Sequence, residues 1–259
     1  MRVCRVLVLL LPPIFLGGAL ALPPVLAGLS ALLGVATLGL VLDGLLRPGS
    51  RTFVPALRCA AGSRPRVALT FDDGPHPQDT PAILDILDEA GIRATFFFVG
   101  KNARAHPDLV RRAALAGHEV GNHSDTHPWW FSLAGPGRVR REIREACRTL
   151  EDLTGRPVRF FRPPVGHKSV FLEDALHGTG LEVVTWSARP FDTLDRSPGR
   201  ILRSVVAAAT PGGIILLHEG VRRSPGEPSR TVAALPSIIL GLREKGLEPV
   251  SLGSLLETP

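Results

Sequence analysis

Tyrosine is absent from the 259 residues, and only three tryptophans and three cysteines occur. Any aromatic platform for a ligand must therefore be built from Trp129, Trp130, Trp186 or the phenylalanines. Cys4, Cys59 and Cys147 are too few for a disulfide framework, and none belongs to a C-x-x-C pair, so they are read as unpaired thiols. Lysine is nearly missing as well: Lys101, Lys168 and Lys245 are the only ones, so arginine carries the net charge of +6. Those arginines are scattered, without the aromatic-interleaved basic run of a nucleic-acid surface, and nucleic acid is excluded as a partner.

Charge is missing altogether from Val6 to Leu42, although the chain as a whole is 21% charged. Pro23-Pro24 divides this apolar stretch into halves of about 17 and 18 residues, each near the lower limit for crossing a bilayer. Three arrangements fit. Arg2 and Arg5 can head a signal cleaved after Ala19-Leu20-Ala21. One tilted span can anchor the chain. Two short spans can form a hairpin, with Arg47, Arg51 and Arg58 on the inner side. A cleaved signal leaves residues 25–42 unexplained, and a buried helix pair of a soluble protein is rarely so uncharged, so membrane attachment is expected with the topology open. Residues 1–46 are thus assigned to an anchor, 47–64 to a linker rich in Pro, Gly, Ser and Arg, and 65–259 to one domain.

Within that domain, short apolar runs alternate with amphipathic segments. Strands are predicted at 67–71, 94–99, 118–120, 158–161, 181–186, 214–217 and 249–250. Helices are predicted at 81–90, capped by Thr80, and at 107–116, 139–153, 169–176, 198–209 and 231–245. Such alternation implies a parallel α/β fold closing as a barrel, and its polar motifs follow strand ends, where barrel sites are built.

The densest chemistry lies in Thr70-Phe71-Asp72-Asp73-Gly74-Pro75 and in Asn122-His123-Ser124-Asp125-Thr126-His127-Pro128. Alone, the first is turn chemistry and the second a pair of surface histidines. Together, Asp73, His123 and His127 form a mixed N/O ligand set, with the histidines spaced i and i+4 as on one side of a helical turn. A divalent ion there leaves positions for water and a substrate oxygen, acidifying the one and polarising the other. Asp72, next in sequence, is available as a general base.

These two motifs resemble the first two of the polysaccharide deacetylases with a NodB homology domain, carbohydrate esterase family 4. Phe161-Arg162-Pro163-Pro164-Val165-Gly166 is similar to the third motif and Leu216-Leu217-His218-Glu219 to the fifth, so the resemblance covers about residues 65–255. It implies a distorted (β/α) barrel and a divalent metal, zinc foremost, with cobalt, nickel, manganese or iron as alternatives. It further implies Asp73, His123 and His127 as metal ligands, Asp72 as base and Arg162 as the group orienting it. His218 becomes the acid that protonates the leaving amine. The Val165 backbone N–H serves the oxyanion, and Pro163, Trp186 and Leu216 line the acetyl pocket.

The fourth motif departs from the family pattern. Trp186-Ser187-Ala188-Arg189-Pro190-Phe191-Asp192-Thr193 has Arg189 in place of an aspartate and Thr193 in place of a tryptophan. Asp192 stays in register to hydrogen-bond His218; Asp195 would need a three-residue insertion. Val165 stands where tyrosine is frequent and Glu219 where aspartate is frequent. Trp129 and Trp130 fit either a core or a sugar platform. The resemblance implies a membrane-anchored hydrolase removing N-acetyl groups from a glycan such as peptidoglycan, a chitin-like oligomer or a glycolipid. The domain is expected outside the cell, where a wall polymer lies. O-deacetylation and non-catalytic glycan binding are the other readings, and the oligomeric state is left open.

Overall fold

The computed structural model describes residues 23–60, 65–194, 197–220 and 229–257. The first apolar half with Arg2, Arg5 and Cys4, the cleavage site at Ala19-Leu20-Ala21, and the alternative acid Asp195 lie outside the described residues.

Helix α1 (Pro24–Leu46) opens with proline at its first position and stops at Arg47, whose extended backbone precedes Pro48. Its 23 residues extend about 35 Å, enough to cross a hydrocarbon core. Of these only Gly34, Val41 and Gly44 are buried, while Leu29, Leu33 and Leu40 remain more than half exposed. A helix apolar on all sides and left uncovered is what a lipid-facing segment requires.

Every strand of the sheet is parallel to its neighbours. The strands are β1 (Arg66–Asp72), β2 (Thr95–Phe98), β3 (Glu119–Asn122), β4 (Phe160–Phe161), β5 (Glu182–Val183), β6 (Ile214–His218) and β7 (Glu248–Val250). Their order is β5-β4-β3-β2-β1-β6, and β7 pairs with the start of β1. Strand β1, central and buried on both faces beyond its first residue, is accordingly an apolar run apart from Arg66 at its start, Thr70 and its terminal Asp72. Helices α2 (Asp79–Glu89), α3 (Gly100–Ala105), α4 (Pro107–Leu115), α5 (Pro136–Thr154), α6 (Leu172–Leu176), α7 (Pro198–Ala208), α8 (Arg230–Glu244) and α9 (Leu252–Leu256) complete the chain. The main core joins Leu69, Phe71, Phe96 and Leu217 from the strands to Leu84, Leu150, Val205 and Leu235 from the helices. The result is a distorted, open (β/α) barrel.

The helix periodicities predict α2, α4, α5, α7 and α8 to within three residues at each end. Helices α3 and α9, six and five residues long, are too short to show a period. Thr80 lies inside α2, not at its cap; its hydroxyl accepts from the backbone N–H of His76 at 2.7 Å. The predicted strand at 181–186 shrinks to two residues, the length of its ladder with β4, and beyond it the backbone pairs with the segment leaving α1. Leu57 donates to the Val183 carbonyl, and Thr185 donates to the Leu57 carbonyl, both at 2.8 Å.

That segment, predicted as a linker, is packed across the open seam of the barrel. Leu57 bridges to Val184 beyond β5 and Cys59 to Gly213 before β6, while Ala188 and Ile215 pair directly. Phe53 and Val54 are buried. The Phe53 ring lies where a side chain on Gly44 would be, within 2.4 Å of its Cβ position, so α1 and the strap interlock only because residue 44 is glycine. Lys168, fully buried, donates its ammonium to the Ser50 carbonyl and to the Val54 carbonyl at 3.3 Å.

Candidate active site

Strand β1 ends at Asp72, and the chain then takes a left-handed step at Asp73 (φ 74°). Asp72 is held by Arg162, whose Nη1 donates to Oδ1 at 2.6 Å. Arg162 follows β4, is wholly buried, and lies over the Phe97 ring with its guanidinium carbon 4.1 Å from the centroid. The same Nη1 reaches Thr70 Oγ1 at 2.9 Å, and Nη2 reaches the Thr185 carbonyl at 3.2 Å. Burial lowers the Arg162 pKa and the adjacent Asp72 carboxylate opposes that, so the pair is one unit: neither charge is compensated without the other.

The histidine segment is a loop, not the helical turn that the i, i+4 spacing suggests. Ser124 and His127 both have positive φ (66° and 51°). Local hydrogen bonds impose this shape. Asn122 Oδ1 accepts from Ser124 N at 2.7 Å, and Ser124 Oγ accepts from His127 N at 3.0 Å. Glu142, buried on α5, accepts from the backbone N–H groups of Asp125 and Thr126 at 3.1 and 2.8 Å and from the Thr126 hydroxyl at 2.8 Å.

The loop turns both Nε2 atoms toward Asp73 Oδ1, 3.4 Å from His123 and 3.2 Å from His127. His123 Nδ1 lies 2.8 Å from the Arg162 carbonyl, which makes it the N–H tautomer and leaves Nε2 as the free donor, the arrangement metal-ligating imidazoles need. Donor atoms of Asp73, His123 and His127 all fall within 4.8 Å of one another. Burial alone would raise the Asp73 pKa; the His123 hydrogen bond and the charges of His123, His127 and His218 outweigh it and hold the carboxyl far below its ordinary value. Burial likewise opposes protonation of His123, but Asp72 and Asp73 raise it; at His127, burial and the neighbouring His123 lower it. A preformed carboxylate beside two converging imidazoles fits a divalent ion.

Opposite stands His218, the last residue of β6 and the register partner of Asp72 on the adjacent strand. Asp192 binds it twice: Oδ1 lies 2.8 Å from the ring Nδ1, and Oδ2 accepts the His218 backbone N–H at 2.8 Å. The Thr231 hydroxyl donates to the same Oδ2 at 2.9 Å. Burial lowers the His218 pKa, but Asp192 and the more distant Asp72 and Asp73 carry it above its ordinary value.

These groups meet in one cavity of about 190 Å³, walled further by Val165, Trp186, Arg189, Thr193 and Leu216. Pro163 is not on its wall; its carbonyl accepts the Gly166 N–H at 2.9 Å and so closes the turn that presents Val165. Val165 adopts φ 58°, costly for a β-branched residue. Among the described residues, non-glycine positive φ occurs at Asp73, Ser124, His127, Val165 and Phe191, all at or beside this cavity, the usual place for stored backbone strain. Trp129 is 75% exposed and Trp130 38%, so Trp129 is no core residue; Arg138 lies over the Trp130 ring at 5.7 Å.

The profile of the polysaccharide deacetylase family matches residues 60–184. A chitooligosaccharide deacetylase of Azorhizobium caulinodans is 37% identical over 194 residues, 71% of this chain and 92% of the relative. The chain belongs to the polysaccharide deacetylase family. A peptidoglycan-N-acetylglucosamine deacetylase of Bacillus cereus is 36% identical over 199 residues, covering 76% of this chain and 70% of that protein. Among solved structures, a peptidoglycan N-acetylglucosamine deacetylase bound to a naphthalenyl N-oxidanyl-benzamide superposes with TM-score 0.71 at 34% identity, covering 79% of this chain and 93% of that one. A family 4 pseudoenzyme from Bacillus anthracis superposes with TM-score 0.68 at 27% identity, over 75% and 66% of the two chains, so this fold also occurs without activity.

Thr231, Glu142 and Thr185 support the site, yet no motif contains them; Asn122 opens the histidine motif, where its structural role is not marked. Glu142 alone left a signal: it sits on the same helical face as Val139, Ile143 and Ala146, a carboxylate where the periodicity calls for an apolar residue.

Proposed function

We propose that the chain hydrolyses the acetamide of an N-acetylated amino-sugar glycan, with Asp72 as base and His218 as acid. One observation carries this reading: the two residues face a common cavity from paired positions on adjacent strands, each fixed by its own buried partner, with the Asp73-His123-His127 donors beside them. A base and an acid both held in place are what amide hydrolysis needs and what a binding protein has no use for.

Asp73, His123 and His127 would hold a divalent ion, zinc foremost, which when bound supplies Lewis acidity toward water and the acetyl carbonyl. Asp72, anchored by Arg162, takes the proton of the attacking water. The Val165 N–H, presented by its left-handed turn, donates to the developing oxyanion. His218 presents its ring Nε2 to the leaving nitrogen because Asp192 occupies Nδ1, and it delivers the proton without which an amine is a poor leaving group. Leu216 and Trp186 enclose the acetyl methyl. The named relatives are deacetylases of chitooligosaccharide or peptidoglycan N-acetylglucosamine; α1 supports membrane attachment, and a wall-polymer substrate would place the domain outside the cell.

Acetate release by the detergent-solubilised full chain from an N-acetylglucosamine oligomer tests this. Release is expected to stop with chelator and return with zinc. Asp72→Asn should lower it by about 10²–10⁴-fold. His218→Ala should do likewise on the amide while sparing an O-acetyl ester, which leaves without a strong acid. A folded, metal-loaded chain that releases nothing would join the pseudoenzymes.

A further inference from the structure

A second cavity, of about 350 Å³, adjoins the catalytic one and shares Trp186 and Arg189 with it. Its other walls come from the foot of α1 and the strap: Arg47, Pro48, Gly49 and Arg58. Three guanidinium groups therefore line one hollow, and no carboxylate lines it among the described residues. Arg47 is partly neutralised, since its Nη1 pairs with Asp43 at 2.9 Å. The other two are not ion-paired among the described residues. Arg58 gives only its Nε to the Trp186 carbonyl, at 3.1 Å. Arg189 lies against the rings of Trp186 and Phe191, with centroids 5.5 and 4.7 Å away, and its buried Nε has no hydrogen-bond partner. Arg189 is half-buried and Arg58 is exposed at the mouth of the hollow; a half-buried cation without a counter-charge is costly in a free protein and becomes favourable when an anion arrives.

The place of this hollow narrows what the anion is. It opens at the end of a helix long enough to cross a bilayer; a helix that spans places that end at the level of the lipid phosphates. Trp186 and Arg189 are walls common to it and to the cavity assigned above to the acetamide. Planar guanidinium groups match phosphate oxygens in pairs.

Resting on the deacetylase reading above, we propose that the substrate is an N-acetylated amino sugar carried on a lipid phosphate or diphosphate, and that Arg58 and Arg189 bind that phosphate. The strap fixes the hollow against the barrel, so the sugar is presented to Asp72 and His218 from the membrane. The reaction balances as simple hydrolysis: the amide C–N bond breaks, water supplies hydroxyl to the acetyl group and a proton to the amine, and the phosphate is unchanged.

The test uses the full chain in nanodiscs, with two substrates: N-acetylglucosamine on a prenyl diphosphate, and the uncharged oligomer. The lipid-linked substrate should be preferred. Arg58→Gln and Arg189→Gln should each lower its kcat/KM relative to the oligomer about tenfold or more, through KM, which corresponds to about 1.4 kcal/mol. Inorganic diphosphate should bind the wild type in calorimetry and bind Arg58→Gln more weakly. An unchanged ratio in both variants, or no diphosphate binding, overturns the proposal. So does equal competition by anionic vesicles lacking amino sugar, which would assign the hollow to bilayer headgroups, or by an oligouronide, which would assign it to an acidic polysaccharide. A chain inactive on both substrates that still binds diphosphate through Arg58 sinks the deacetylase reading while upholding the anion site.

Discussion

At His218, burial and Asp192 pull in opposite directions, and Asp192 wins. In the proposed reaction His218 must be protonated to act, so its raised pKa sets the alkaline limb of the pH–rate profile. Asp192→Asn removes the charge that raises it; the limb should move to lower pH and kcat should fall about 10²–10⁴-fold. A kcat/KM profile of both proteins checks this, and an unmoved limb would mean that another group supplies the proton. Glu219, one residue on, shows the opposite case. Burial pushes its carboxyl up to about 8, against the opposing hydrogen bond from Thr80. Between its ordinary value of 4.5 and about 8, the folded chain keeps a proton that the unfolded chain releases, so stability falls as pH rises through that window. Glu219→Gln stays neutral throughout. Its melting temperature should change less with pH than the wild type's, by the equivalent of on the order of a few kcal/mol at the alkaline end. At this scale the catalytic types were legible, because Asp72-Asp73 and His123/His127 are uncommon juxtapositions. The polar residues behind them were not: Thr231 reaches the site from a segment whose sequence carries no mark of it, and Thr185 acts through its backbone carbonyl, which no residue type announces.

Among the elements, the histidine loop depends on helix α5. Glu142 fills three hydrogen bonds to residues 125 and 126, and Arg138 pairs with it at 2.6 Å. Glu142→Ala leaves two backbone N–H groups without their acceptor, costing roughly 1–3 kcal/mol, and frees the backbone between the two histidines. Metal affinity should drop about 10–100-fold, measured by competition with a chelating dye, while the helical content is kept. An affinity equal to the wild type's would show that Asn122 and Ser124 suffice to shape the loop. The i, i+4 spacing correctly flagged the histidines but suggested the wrong local geometry, because spacing reports which residues lie near each other and not the hydrogen bonds that bend the chain. The strap was equally illegible. Its Pro, Gly, Ser and Arg content is that of a linker, yet Phe53, Leu57 and the distant Lys168 bind it into the seam of the barrel.

For the molecule as a whole, α1 and the domain are joined through that strap. A tilt of the helix is thereby tied to the turn carrying Val165, since Phe53 and Val41 pack against Val170 and Pro48 approaches Gly166. The full chain should sediment with membranes and resist alkaline carbonate. Leu33→Arg places a charge near the middle of α1 at a cost of about 2.5–3.5 kcal/mol and should release part of the protein. Complete retention of this variant would show that residues before Pro23 anchor the chain by themselves.

From sequence alone came the alternation that makes a parallel α/β barrel, the uncharged stretch suited to a bilayer, and the carboxylates and histidines after strand ends that are proposed as metal ligands, base and acid. Those are patterns of residue type and period, which a linear string records. Only the folded chain decided that the two histidines sit on a loop with positive φ, that Asp192, itself held by Thr231, holds His218, and that Arg58 and Arg189 line one hollow. The last two are contacts between segments far apart in the chain, and the first follows from hydrogen bonds that residue spacing does not report; none of the three is written in local composition.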